Sequence, residues 1–122
     1  MAVLLDINKF ERLYRRTVKR VAVTGTTEYL KLSPVGPGKI RVLTHVTVEN
    51  QTTDLDQCRI GIDHGGVLHY LDELKNVVAD ELMVSRSDVL LGEGDRFFAE
   101  LIGTITDATL IMICVGWEQR MK

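Results

Sequence analysis

Cysteine, proline and aromatic residues are scarce: the chain has 122 residues with two Cys, two Pro, one Trp, three Tyr and three Phe. Cys58 and Cys114 form no CxxC pair and no Cys/His ladder, which excludes a zinc cluster or a dithiol redox motif; both read as small core residues. Both prolines, Pro34 and Pro37, fall in one short segment, so nothing breaks regular structure elsewhere. Long apolar runs are also missing. Met1 to Leu5 is apolar but stops at Asp6, short of a signal-peptide core and of the ~20 residues a membrane span needs. No membrane partner is expected, and synthesis in a cytoplasm is. Nor is there an excess of one charge: 15 Lys+Arg face 17 Asp+Glu, net −2. That balance argues against nucleic acid as the partner of the whole domain, which would normally be basic.

What is present is 45% hydrophobic residues, enough for one globular domain burying about two thirds of its unfolded surface without metals or disulfides. The charge is polarised along the chain. Residues 1–20 hold six cations (Lys9, Arg12, Arg15, Arg16, Lys19, Arg20) against Asp6 and Glu11, so the remainder is net negative. Within the same segment Leu4, Ile7, Phe10, Leu13, Tyr14 and Val18 recur every three or four residues, which predicts one amphipathic helix with cations at its C-terminal end. The segment reads as a basic helical arm, residues 1–20, ahead of a second unit, residues 21–122.

After Val21 the period falls to two. Val21 to Val23 and Tyr29 to Leu32 flank a polar bend at Thr24 to Thr27, and Ser33 to Gly38 is a loop. Lys39 to Glu49 alternates, with Ile40, Val42, Val46 and Val48 expected on one buried face. Gln57 to Asp63 alternates again, burying Cys58, Ile60 and Ile62. His64-Gly65-Gly66 turns into Val67 to Leu71, and Leu74 to Asp80 stays open between strand and helical turn. Glu81 to Ser85 and Asp88 to Leu91 are strand-like, Gly92 to Asp95 is a tight turn, and Arg96 to Ile102 and Thr109 to Trp117 close the domain. In the last run Leu110, Met112, Cys114 and Gly116 alternate with Ile111, Ile113, Val115 and Trp117. Both faces are apolar, which predicts a strand inside a sandwich or against another subunit. Eight or so short strands with regular turn signals describe an antiparallel sandwich or barrel.

Groups for catalysis are hard to assemble. A metal site on such a fold needs two His alternating on one strand and a carboxylate a few residues on. His64 and His69 are instead five apart, and His45 points away from its strand's apolar set. No serine sits in a G-x-S-x-G setting, and Gly92 to Asp95 carries two carboxylates that would repel phosphate. No catalytic residue, metal or cofactor is expected. The strongest binding signal is the N-terminal segment: Arg12, Arg15, Arg16, Lys19 and Arg20 for an acidic partner surface, with Leu4, Leu5, Ile7, Phe10, Leu13 and Tyr14 as apolar anchors. Ile111, Ile113, Val115 and Trp117 form a second possible interface.

Several passages resemble small β-sandwich structural proteins of tailed bacteriophages, the head decoration or cement proteins and the neck and tail components. They are Pro37-Gly38-Lys39-Ile40-Arg41-Val42-Leu43 through Val48-Glu49-Asn50; Arg59-Ile60-Gly61-Ile62 with Gly65-Gly66 and His69-Tyr70-Leu71; Leu90-Leu91-Gly92-Glu93-Gly94-Asp95-Arg96; and Thr109-Leu110 to Gly116-Trp117-Glu118. The likeness is one of strand-and-turn cadence over residues 33–118. It implies an all-β, antiparallel, jelly-roll-like β-sandwich, here with a short N-terminal helical arm, and a non-enzymatic virion subunit that clamps the major capsid protein or other virion subunits. Such proteins commonly form dimers or trimers. A capsid decoration or cement role leads, and a neck, head–tail joining or fibre-attachment subunit follows. From other classes come a glycan-binding module using Trp117, Tyr70 and His69 as one platform, and a cupin-like metal protein using His45, His64 and His69.

Overall fold

The structure, a computed structural model, describes residues 10–23 and 25–120, with side chains from Leu13 onward. Nine strands follow one another: β1 (Phe10–Val21), β2 (Thr27–Lys31), β3 (Lys39–Asn50), β4 (Leu55–His64), β5 (Val67–Val77), β6 (Met83–Val84), β7 (Val89–Leu91), β8 (Arg96–Ile102) and β9 (Thr109–Arg120). They pair antiparallel in two sheets, one ordered β1-β9-β3-β6 with β7 also on β3, the other β2-β8-β4-β5. The inward rows of the two sheets meet in a single core. Leu43, Val46, Val48, Leu110, Met112 and Cys114 of the first pack against Leu30, Cys58, Ile60, Phe97, Ala99 and Leu101 of the second. Each of the larger side chains contributes ~1.5–3 kcal/mol on burial.

Most strand positions follow from alternation. β9 has the expected two rows, the even one (Leu110, Met112, Cys114) fully buried and the odd one half-buried, because β9 lies between β1 and β3. Gly65 and Gly66 take φ of 60° and 88°, the left-handed pair that a two-residue turn between β4 and β5 requires. The segment left open at Leu74 to Asp80 continues β5 as far as Val77.

Two expectations fail. The helix is not found: Phe10–Val21 is a strand paired with β9 from Phe10↔Gln119 to Val21↔Thr109, and among the described residues there is no helix. Residues four apart share a face in a helix and also in a strand, so Tyr14 and Val18 fit both; Leu13, required on the apolar stripe, is 78% exposed beside Tyr14 at 1%. Ladder bonds to a distant strand override a weak local preference. The boundary drawn at residues 20 and 21 therefore falls inside β1, while Leu4, Leu5 and Ile7 lie outside the described residues.

The second failure is in β3. Its partners step from Leu43↔Gly116 to His45↔Val115, leaving Thr44 as an extra residue that reverses the alternation. Arg41 and Leu43 face inward before the bulge and Val46 and Val48 after it, so Ile40 and Val42 point outward rather than sharing the Val46 face. A Cβ on Gly116 would lie 1.8 Å from the Val42 carbonyl oxygen, so the bulge closes only over glycine. The second sheet repeats the device: Leu71 is extra on β5, opposite Gly61, where a Cβ would meet the His69 oxygen at 2.1 Å.

Gly116→Ala and Gly61→Ala should each lower stability by about 2–4 kcal/mol in urea denaturation, since backbone rather than a flexible side chain must yield. Gly36→Ala, whose added methyl would touch only the end of Lys39, should change it by less than about 0.5 kcal/mol.

Candidate functional site

β1 is the edge strand of its sheet, and alternation divides the residues singled out there. Leu13, Arg15, Thr17 and Lys19 lie on the outward face and are exposed. Tyr14 faces inward and is buried, its ring under the Arg41 guanidinium at 4.2 Å, which removes it from any partner surface in this fold. Arg16 and Arg20 also leave the inward side of this edge strand but are exposed; Arg16 lies 5.1 Å from the Tyr14 ring centre. Phe10 and Arg12 belong to the strand, with side chains outside the description.

The edge strand β2 of the other sheet runs beside β1, and between them is a cleft of about 480 Å³ lined by Val18, Lys19, Arg20, Tyr29, Leu30, Lys31 and Arg96. Glu28, nearly buried, holds its corner: its carboxylate meets Arg20 Nε at 3.0 Å and accepts the Val23 N–H at 3.0 Å. Lys31 pairs with Asp63 at 3.2 Å, and that contact draws the Asp63 carboxyl below its usual range. Arg96 Nε donates to the Leu32 carbonyl at 2.7 Å. Four cations and two carboxylates make this edge basic.

The second expected interface, Ile111, Ile113, Val115 and Trp117, forms one outward row on β9, facing Lys19, Thr17, Arg15 and Leu13 of β1 and Glu49, Thr47, His45 and Val42 of β3. Trp117 therefore lies on the sheet opposite Tyr70 and His69, and the three do not form one stacking platform. His45 is likewise on β3, whereas His64 and His69 are on β4 and β5 of the other sheet. Among the described residues no three His, Cys, Asp or Glu are placed to hold a metal. His64 instead bonds Asp95, which raises its pKa. Cys58 and Cys114 are buried free thiols, pushed up to about 12 by burial.

Two polar clusters were not anticipated. On the outer face of the second sheet, Glu100 Oε2 accepts from Tyr29 Oη at 2.7 Å and Tyr70 Oη at 3.3 Å, and its Oε1 accepts from Arg59 Nε at 2.9 Å and Nη2 at 2.7 Å. Arg59 stacks 3.8 Å over the Tyr70 ring, and the two tyrosines cover Phe98, which is fully buried on this outer side above Gly61. With both oxygens engaged, Glu100 is a fastener rather than a free acid or base. The second cluster is inside: Arg41 Nε and Nη2 meet Glu118 Oε2 at 2.9 and 2.8 Å, and Arg41 Nη1 donates to the Ser33 carbonyl at 2.9 Å. The sequence signal for both was a charged residue inside an apolar strand, Glu100 after Phe97-Phe98-Ala99 and Glu118 after Trp117.

No protein-family model and no curated protein sequence matches this chain. Solved structures do. The acidic stable capsid structure of Helicobacter pylori bacteriophage KHP30 contains a chain 13% identical, TM-score 0.63, over 88% of this chain and 89% of that one. The disulfide-linked pili of Bacillus endospore appendages contain one 11% identical, TM-score 0.56, over 100% and 98%. A family 35 carbohydrate-binding module from Clostridium thermocellum, 13% identical over 86% and 98%, reaches only 0.42 and carries no argument. At such identities the first two establish a shared all-β sandwich.

The Tyr29 phenol, held by the Glu100 carboxylate, should titrate at about 12 by NMR of ring-labelled tyrosine, and Glu100→Gln should return it toward 10. Because the shift is upward, its contribution to stability is complete below pH 10 and disappears as pH rises through 12. Glu118→Gln should cost about 3–5 kcal/mol in urea denaturation, since it leaves the Arg41 charge buried without its partner.

Proposed function

We propose that this chain is a non-enzymatic structural subunit of a tailed-phage virion, a capsid decoration or cement protein that acts through contacts with neighbouring subunits. The observation that carries the reading is the likeness to a chain of a phage capsid structure over nearly the full length of both. The strand order supports it. Orders β1-β9-β3-β6/β7 and β2-β8-β4-β5 are those of a jelly roll, an architecture that recurs in viral capsid domains.

The three histidines are divided between two sheets, both thiols are buried, and the cluster of Tyr29, Tyr70 and Arg59 is closed on Glu100. Its surfaces are more eventful than its interior: a basic edge with a cleft, an outward apolar row on β9, and exposed leucines and valines. In this reading the partners are the major capsid protein and further copies of the chain, and the site of action is the virion. No helix among the described residues is long and apolar enough to cross a membrane.

Quantitative mass spectrometry of purified particles from the source phage should find this chain in near-stoichiometric amounts relative to the major shell protein. A few copies per particle would move the assignment to the neck or head–tail joint, and absence from particles would overturn the virion reading.

A further inference from the structure

The strand orders place β1 and β2 along one edge of the sandwich and β5, β6 and β7 along the opposite one. The two edges carry opposite charge. On β1 the described charged side chains are Arg15, Arg16, Lys19 and Arg20, all exposed, and Lys31 and Arg96 add to them across the cleft, against the two carboxylates Glu28 and Asp63 that pair with Arg20 and Lys31. Residues 67–91, which build the other edge, hold five acids (Asp72, Glu73, Asp80, Glu81, Asp88) against Lys75 and Arg86. Arg86 and Asp72 take each other up in a two-pronged pair, which leaves four acids against Lys75.

Exposed apolar side chains follow the same division. Leu13, Val21 and Val23 are 78%, 54% and 69% exposed at the basic edge; Leu71, Leu82 and Leu90 are 51%, 49% and 66% exposed at the acidic one. Apolar groups rimmed by charge mark contact surfaces, and here both edges have that composition with the signs reversed.

We infer that the basic β1–β2 edge of one copy docks against the acidic β5–β7 edge of a second copy. Two basic edges face to face would set Arg15, Arg16, Lys19 and Arg20 against their own counterparts, and two acidic edges would do the same with carboxylates, so a two-fold contact through either edge is repelled. Only the head-to-tail pairing joins opposite signs. Such a contact leaves one edge of each sort unused at the ends, so it closes into a ring or runs on as a filament according to the angle between copies. This deepens the reading of the chain as an assembly subunit, and rests on it, by naming a partner surface.

The test uses the full chain and two charge-reversal variants at exposed positions, Arg15→Glu/Arg16→Glu/Lys19→Glu and Glu73→Lys/Glu81→Lys/Asp88→Lys, each of which reverses the net sign of its edge, with circular dichroism to verify the fold. In sedimentation velocity the unaltered protein should associate at about 0.1 M salt and come apart at about 1 M, where the screening length drops from ~10 to ~3 Å. Each variant alone, with both edges of one sign, should remain monomeric. Their equimolar mixture should associate again, since every contact once more joins opposite charges. A monomeric parent protein, a variant that associates alone as the parent does, or a mixture that stays monomeric would overturn the inference. A monomer that is nevertheless abundant in particles would defeat this contact and leave the virion role standing.

Discussion

The approach of Gly116 to the β3 backbone sets the phase of the whole first sheet. Because no Cβ stands between them, β3 can carry Thr44 as an extra residue and still pair with β9 on both sides of it, and the alternation of β3 reverses there. The reversal turns Arg41 inward, opposite Glu118, and turns Val42 outward, opposite Trp117. It also coincides with the break between β6 and β7, each of which pairs with one half of β3, while Ser85 bonds Val46 across the gap. In the second sheet Gly61 does the same for β5, and Phe98 fills the space above it under Tyr29 and Tyr70. Two glycines thus decide which side chains are core and which are surface.

Charge in this molecule has two uses, separated by depth. Arg41 and Glu118 are buried and tied to each other, to the Ser33 carbonyl and to the Tyr14 ring, which holds β3, β9 and β1 in one arrangement. Glu100 fastens the outer face of the second sheet in the same manner, with solvent nearby. The charges at the edges are held less tightly and lie beside exposed leucine and valine, the composition of a surface that meets another protein. A long edge strand such as β1 would otherwise invite pairing with any extended chain; its row of arginine and lysine repels a second β1.

Alternation, glycine turns and the doubly apolar last run were enough to place most of the strands from Lys39 to Trp117, apart from the continuation of β5 beyond Leu74, and the all-β class with them, because a side-chain period of two is a local property of an extended chain. By itself the sequence also determined that the cysteines are core and that charge is divided along the chain. Only the tertiary structure decided that Phe10–Val21 is an edge strand, because the spacing of Tyr14 and Val18 suits either conformation and the deciding bonds come from β9, about a hundred residues away in the chain. It likewise decided that Ile40 and Val42 face outward, that Glu100 gathers Tyr29, Arg59 and Tyr70, and that the basic and acidic segments stand at opposite edges. Each of these depends on register and strand order between distant segments, and pairing across space leaves no period in the sequence to read.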